Sequence, residues 1–117
     1  MSATVLIVDD HRSFRVLARR MLEAAGYEVV GEAVDGASAL AAAARLRPQL
    51  VLLDVQLPDL DGFAVSERLA ATEHSPMVVL ISSRDESAYR RRLAGSPARG
   101  FIAKSELSGP ALAELVA

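Results

Sequence analysis

Leu50-Val51-Leu52-Leu53-Asp54-Val55-Gln56-Leu57-Pro58-Asp59-Leu60-Asp61-Gly62 decides how this chain is read. Four consecutive apolar residues of strand length, rich in Leu and Val, suit a strand covered on both faces, as in a parallel sheet. Asp54 then stands at its C-terminal edge, where open α/β sheets place their ligands. Pro58 fixes a turn, Asp61 is placed to cap a following helix, and Leu60 and Val65 have the spacing of a hydrophobic staple. Asp54 is thus the candidate reactive group, followed by a short loop pinned at both ends.

Working outward, the other strands end in the same style. Thr4 to Asp9 reads as a buried strand closing on Asp9 and Asp10. Met77 to Ile81 is another continuous apolar strand and stops at Ser82-Ser83, and Gly100 to Lys104 is a short last strand with a lysine at its end. Val29 and Val30 are flanked by Glu28 and Glu32, which predicts an edge strand over Glu28 to Ala33. Between the strands lie helical patterns. Phe14, Leu17, Ala18, Met21 and Leu22 recur at helical spacing until Gly26, and an alanine-rich stretch runs from Asp35-Gly36 to about Arg47, before Pro48. Further helices are expected from Asp61 to about Ala71, from Asp85 to Ala94, and after Ser108 with Pro110 in the first turn. The Asp85 to Ala94 segment has a poor apolar stripe, mainly Ala88, Tyr89 and Leu93, so it is the element expected to move most readily. Five strands alternating with five helices predict a parallel sheet with helices on both faces.

The 117 residues, 51% hydrophobic, are sized for one domain spanning 1–117. Absence of cysteine excludes disulfides, thiolate ligands and cysteine nucleophiles. No apolar run approaches the ~18 to 20 residues that span a bilayer, and the start lacks a signal-peptide layout, so a cytoplasmic location is expected. A net charge of -2 offers no footprint for direct nucleic-acid binding within the chain. Arg84, Arg90, Arg91, Arg92 and Arg99 read as a solvated face, or more sharply as a partner-docking surface. His11 and His74 read as exposed loop residues rather than metal ligands.

In a parallel sheet these strand ends converge. Three carboxylates within several ångströms repel by about 1 to 4 kcal/mol per close pair at effective dielectrics of 80 down to 20, so a cation is required among them. A hard, oxygen-ligated ion such as Mg²⁺ suits this donor set, while Lys104 supplies a fixed positive charge and Ser82 a hydroxyl. Together they describe a phosphoryl site with an aspartate nucleophile.

The ordered set Val8-Asp9-Asp10-His11, Leu53-Asp54 through Gly62, Ser82-Ser83 and Phe101-Ile102-Ala103-Lys104 resembles the response-regulator receiver domain of bacterial two-component signalling, over essentially the whole chain. The resemblance implies a flavodoxin-like, doubly wound α/β fold, strand order 2-1-3-4-5, five helices on both faces. It implies that Asp54 accepts a phosphoryl group from a sensor histidine kinase or phosphotransfer protein. Asp10, Asp54 and the backbone carbonyl of Gln56 would bind Mg²⁺, with Asp9 assisting through water. Lys104 would pair with the phosphate, Ser82 would bond a phosphoryl oxygen, and Phe101 would follow into the vacated space. Gln56 and Arg84 resemble positions that in this family tune phosphoryl lifetime. A downstream output domain or partner protein and a phosphorylation-dependent homodimer are further implications, and no enzymatic turnover of an external substrate is expected. Asp-His-Arg near the start also resembles receivers fused to helix-turn-helix DNA-binding domains.

Three departures stand out: Lys104-Ser105 where Lys-Pro is common, a link from Ala94 to Gly100 two residues longer than usual, and a short final helix. Among competing readings, a haloacid-dehalogenase-like phosphatase would show Asp-x-Asp on the first strand and a cap domain, and this chain has Asp9-Asp10-His11 instead. An interaction module that never uses phosphate has no reason to bury uncompensated charge.

Overall fold

The computed structural model describes residues 3–117. Five parallel strands, β1 (Thr4–Val8), β2 (Glu28–Ala33), β3 (Leu50–Asp54), β4 (Met77–Ser82) and β5 (Gly100–Ala103), lie side by side in the order β2-β1-β3-β4-β5. Helices α1 (Arg12–Ala24), α2 (Gly36–Leu46), α3 (Gly62–Ala70), α4 (Arg90–Ala94) and α5 (Gly109–Val116) complete a doubly wound arrangement, with β2 at an edge as its flanking glutamates foretold. No helix among the described residues is long and apolar enough to cross a membrane.

Because successive side chains on a strand point to opposite faces, each strand feeds two cores. Leu6, Val8, Val51, Leu53, Val78, Leu80 and Phe101 pack with residues of α2 and α3 and with Tyr89. Val5, Ile7, Leu50, Leu52, Val79, Ile81 and Ile102 pack with Ala18 and Leu22 of α1 and Leu112 of α5. Both faces of β3 are therefore dry, which is why its sequence is continuously apolar.

Local signals set the helix ends. Asp35 caps α2 by accepting from the Ser38 backbone N–H at 2.8 Å, and Asp61 caps α3 through the Ala64 N–H at 2.9 Å. Ser108 caps α5 through the Ala111 N–H at 3.1 Å. Gly26, at φ 94°, takes the left-handed conformation after α1 that only glycine adopts freely.

The structure corrects two element readings. The segment expected as one helix from Asp85 to Ala94 is a 3₁₀ turn, Glu86–Tyr89, followed by the five-residue α4. Only Tyr89 is buried there, so packing is too slight to hold a longer regular helix. Lys104, expected in the last strand, instead begins a 3₁₀ turn, Lys104–Glu106, that swings it off the sheet.

Candidate functional site

The register brings the polar strand ends level. Val8 pairs with Leu53, Asp54 with Ile81 and Ser82 with Ala103, so Asp9, Asp54, Ser82 and Lys104 emerge along one edge of the sheet. Asp9 remains tied to the edge strand through its N–H, which donates to the Ala33 carbonyl at 3.0 Å. Ligating atoms of Asp9, Asp10, His11 and Asp54 all lie within 4.8 Å of one another.

Burial differs sharply within this cluster. Asp9 is 0% and Asp54 2% exposed, whereas the Asp10 side chain is 37% exposed and forms the rim. Lys104 Nζ sits 2.6 Å from Asp9 Oδ2 and 3.3 Å from Asp54 Oδ2. A carboxylate oxygen has more than one lone pair, so Asp9 Oδ2 keeps coordinating capacity beside the lysine. Lys104 also lies 4.6 Å from the centroid of Phe14, a cation–π contact from α1. The other Asp54 oxygen accepts the Gln56 backbone N–H at 3.1 Å.

Burial pushes the Asp54 carboxyl above the usual carboxylate range, and the Asp9 charge adds to this, against the opposing pull of the Gln56 N–H and Lys104. For Lys104, burial alone would lower its value, but the Asp9 and Asp54 carboxylates outweigh burial and raise it. The lysine is thus held charged beside two buried acids. The carboxylate oxygens of Asp9, Asp10 and Asp54, with the His11 ring beside them, form an acidic pocket compatible with Mg²⁺.

Ser82 is 1% exposed and is not hydrogen-bonded to Asp54; its hydroxyl accepts the Arg84 N–H at 3.1 Å and lies 3.0 Å from the Tyr89 hydroxyl. Phe101, expected to move inward, is already only 9% exposed, with its ring centroid 5.7 Å from that of Tyr89. His74 is exposed, as expected. His11 departs from the simple loop reading: its side chain is 66% exposed, yet Nδ1 lies 3.1 Å from both Asp9 Oδ1 and Asp10 Oδ1. The arginine cluster is not wholly solvated either. Arg92 pairs with Asp61 at 2.6 Å and stacks 4.2 Å over Phe63, and Arg99 donates to the carbonyls of Leu115 in α5 and of Ala117 just after it, at 2.8 and 3.0 Å.

Sequence reasoning missed two contributors. Asp59 reaches from the β3–α3 loop to α2, accepting from the N–H groups of Gly36 at 2.7 Å and Ala37 at 2.9 Å. Tyr89 is the other; a buried tyrosine needs a partner for its hydroxyl, and Ser82 lies seven residues before it.

A family model for the response regulator receiver domain matches residues 5–116. The transcription regulator of virulence factors BvgA from Bordetella pertussis is 38% identical over 102 residues, covering 87% of this chain and 49% of BvgA. The DNA-binding transcriptional activator EvgA from Escherichia coli is 30% identical over 101 residues, covering 86% of this chain and 50% of EvgA. The chain therefore spans about half the length of the curated relatives it matches. A LuxR-family two-component response regulator from Aurantimonas superposes with a TM-score of 0.86 at 26% identity, covering 97% of this chain and 81% of that one. By sequence, topology and the acidic edge of its sheet, the chain belongs to the response regulator receiver domain family.

Proposed function

We propose that this domain is a phosphorylation-driven switch in which Asp54 accepts a phosphoryl group from a histidine kinase or phosphotransfer protein. The observation that carries the reading is the buried Asp54 beside Lys104, Asp9 and Asp10 at one sheet edge. An Asp54 oxygen forms a bond to phosphorus as the phosphorus–nitrogen bond of a phosphohistidine breaks and the imidazole leaves with the electron pair. Lys104, held charged, stabilises the added oxygens, and Ser82 offers a hydroxyl once it turns toward them.

Asp9, Asp10, Asp54 and the Gln56 backbone carbonyl would hold Mg²⁺, which when bound supplies neutralising charge to the phosphoryl oxygens. Gln56 and Arg84 are both exposed and stand where they can tune how long the acyl phosphate survives. The phosphoryl group shifts populations through contacts made better in one state, those of Ser82 and Lys104, and no turnover of an external substrate is involved.

A second reading concerns what the switch controls. BvgA and EvgA are named as transcription regulators and are about twice the length of the matched region, which supports a receiver that governs an attached DNA-binding output. A phosphorylation-dependent homodimer is part of this proposal, measurable as a change in sedimentation on phosphorylation.

The test is intact-mass spectrometry after incubation with a small phosphodonor and Mg²⁺. The wild-type chain is expected to gain one phosphoryl mass, lost on adding a chelator beforehand. No gain, or a gain unchanged in Asp54→Asn, contradicts the assignment.

A further inference from the structure

We propose that Tyr89 is a positioning residue for Ser82: its hydroxyl holds Ser82 turned away from Asp54, and surrender of that bond passes the state of Asp54 to α4. The inference rests on Asp54 as phosphoacceptor, and adds the residue that opposes the switch.

Strand alternation sets up the opposition. Asp9 and Asp54 share strand parity with Val5, Ile7, Leu50 and Leu52, which belong to the α1–α5 core. Ser82 shares parity with Val78 and Leu80, which belong to the α2–α3 core together with Tyr89. At rest the Ser82 hydroxyl is committed on that side, 3.0 Å from Tyr89 and 3.1 Å from the Arg84 N–H. The Asp54 oxygens are bonded to Gln56 and Lys104 instead. To reach an oxygen on a phosphorylated Asp54, the serine must abandon Tyr89.

The consequence for Tyr89 follows from its surroundings. It is 8% exposed, and Ser82 is its one hydroxyl partner among the described residues. Its ring lies between Phe63, at 5.8 Å, and Phe101, at 5.7 Å. A hydroxyl left unpaired in that apolar space is costly, so the ring is driven toward water, and the space between Phe63 and Phe101 opens. The aromatic that must yield first is thus Tyr89, ahead of Phe101. Tyr89 immediately precedes α4, whose remaining anchor to α3 is the exposed Arg92–Asp61 pair with Arg92 over Phe63. Loss of the buried contact leaves α4 held by the partly buried Leu93 and a solvent-screened ion pair.

Beryllofluoride with Mg²⁺, a tetrahedral phosphoryl mimic, supplies the probe, and ¹⁹F NMR titration reads its affinity independently of phosphotransfer. Tyr89→Phe removes the resting bond and the unpaired hydroxyl of the switched state, so it should bind the mimic about two- to tenfold tighter than wild type. In a Ser82→Ala background the same substitution should change nothing. Equal or weaker binding by a folded Tyr89→Phe, or the same gain without Ser82, overturns the inference and leaves the Asp54 reading intact. Failure of wild type to bind the mimic overturns both. Should Tyr89→Phe not fold, Tyr27→Phe leaves Tyr89 as the sole tyrosine. Acrylamide quenching of its fluorescence should then rise on adding the mimic, and unchanged quenching overturns the inference.

Discussion

Lys104 is bound more closely by Asp9 than by Asp54: its Nζ lies 2.6 Å from the one and 3.3 Å from the other. The lysine is therefore the counter-ion of the acidic pocket. Lys104→Met leaves two buried carboxylates uncompensated. The expected loss is about 2 kcal/mol in urea unfolding at neutral pH, below the ~3 to 5 kcal/mol typical of breaking a buried pair. The reduction reflects solvent access, 16% of the lysine side chain being exposed. Because the folded-state value is raised, this stabilisation is full below 10.5 and is lost as pH rises through the folded value, so the gap between wild type and variant should narrow in strong alkali.

Asp54→Asn should have the opposite sign. Burial, then the Asp9 charge, makes the ionised Asp54 a liability in the folded state. A raised folded-state value means that the aspartate's favourable contribution exists below 3.8 and disappears as pH rises through the folded value. The variant is expected to melt a few degrees higher than wild type near pH 7, with the advantage vanishing in acid. A lower melting temperature at neutral pH would show that the Lys104 pairing outweighs burial.

Asp59 holds the loop after Asp54 to α2. The N–H groups of Gly36 and Ala37 hold its carboxyl below the usual range, so its contribution is present above 3.8 and is lost as pH falls through the folded value. Asp59→Ala should lower the melting temperature at neutral pH, converge with wild type in acid, and speed amide exchange at Gly36 and Ala37.

Gly62 marks the closest backbone approach to the site. A Cβ there would lie 2.5 Å from the Asp54 carbonyl oxygen and 2.9 Å from Val55 Cα, atoms that cannot yield without moving the strand end. Gly62→Ala is expected to cost about 1 to 3 kcal/mol and to slow phosphorylation together. Chemical denaturation and phosphorylation kinetics on one preparation check both.

Much of this was legible in the chain because the signals were local and repeated. Four apolar runs ended in Asp9, Asp54, Ser82 and Ala103-Lys104, and in a parallel sheet such ends have one place to meet. The edge position of β2 could be read from Glu28 and Glu32, and the caps Asp35, Asp61 and Ser108 from spacing alone. The Glu86 to Ala94 region was harder. Its composition is helical but its apolar stripe is poor, and with only Tyr89 buried, beside Ser82, and Arg92 paired with Asp61, the segment settles into two short pieces that no local signal marks. The same holds for Asp59, whose partners lie 22 and 23 residues earlier. His11 read as an ordinary loop residue because its carboxylate neighbours lie on the strand end before it rather than on a helix.

The most direct measurement locates the phosphoryl group. Borohydride reduces an aspartyl phosphate to homoserine, so peptide sequencing by mass spectrometry after phosphodonor, Mg²⁺ and borohydride treatment reports which aspartate reacted. Homoserine at position 54 alone is the expected result; homoserine at 9 or 10, or at no position, would contradict Asp54 as the acceptor.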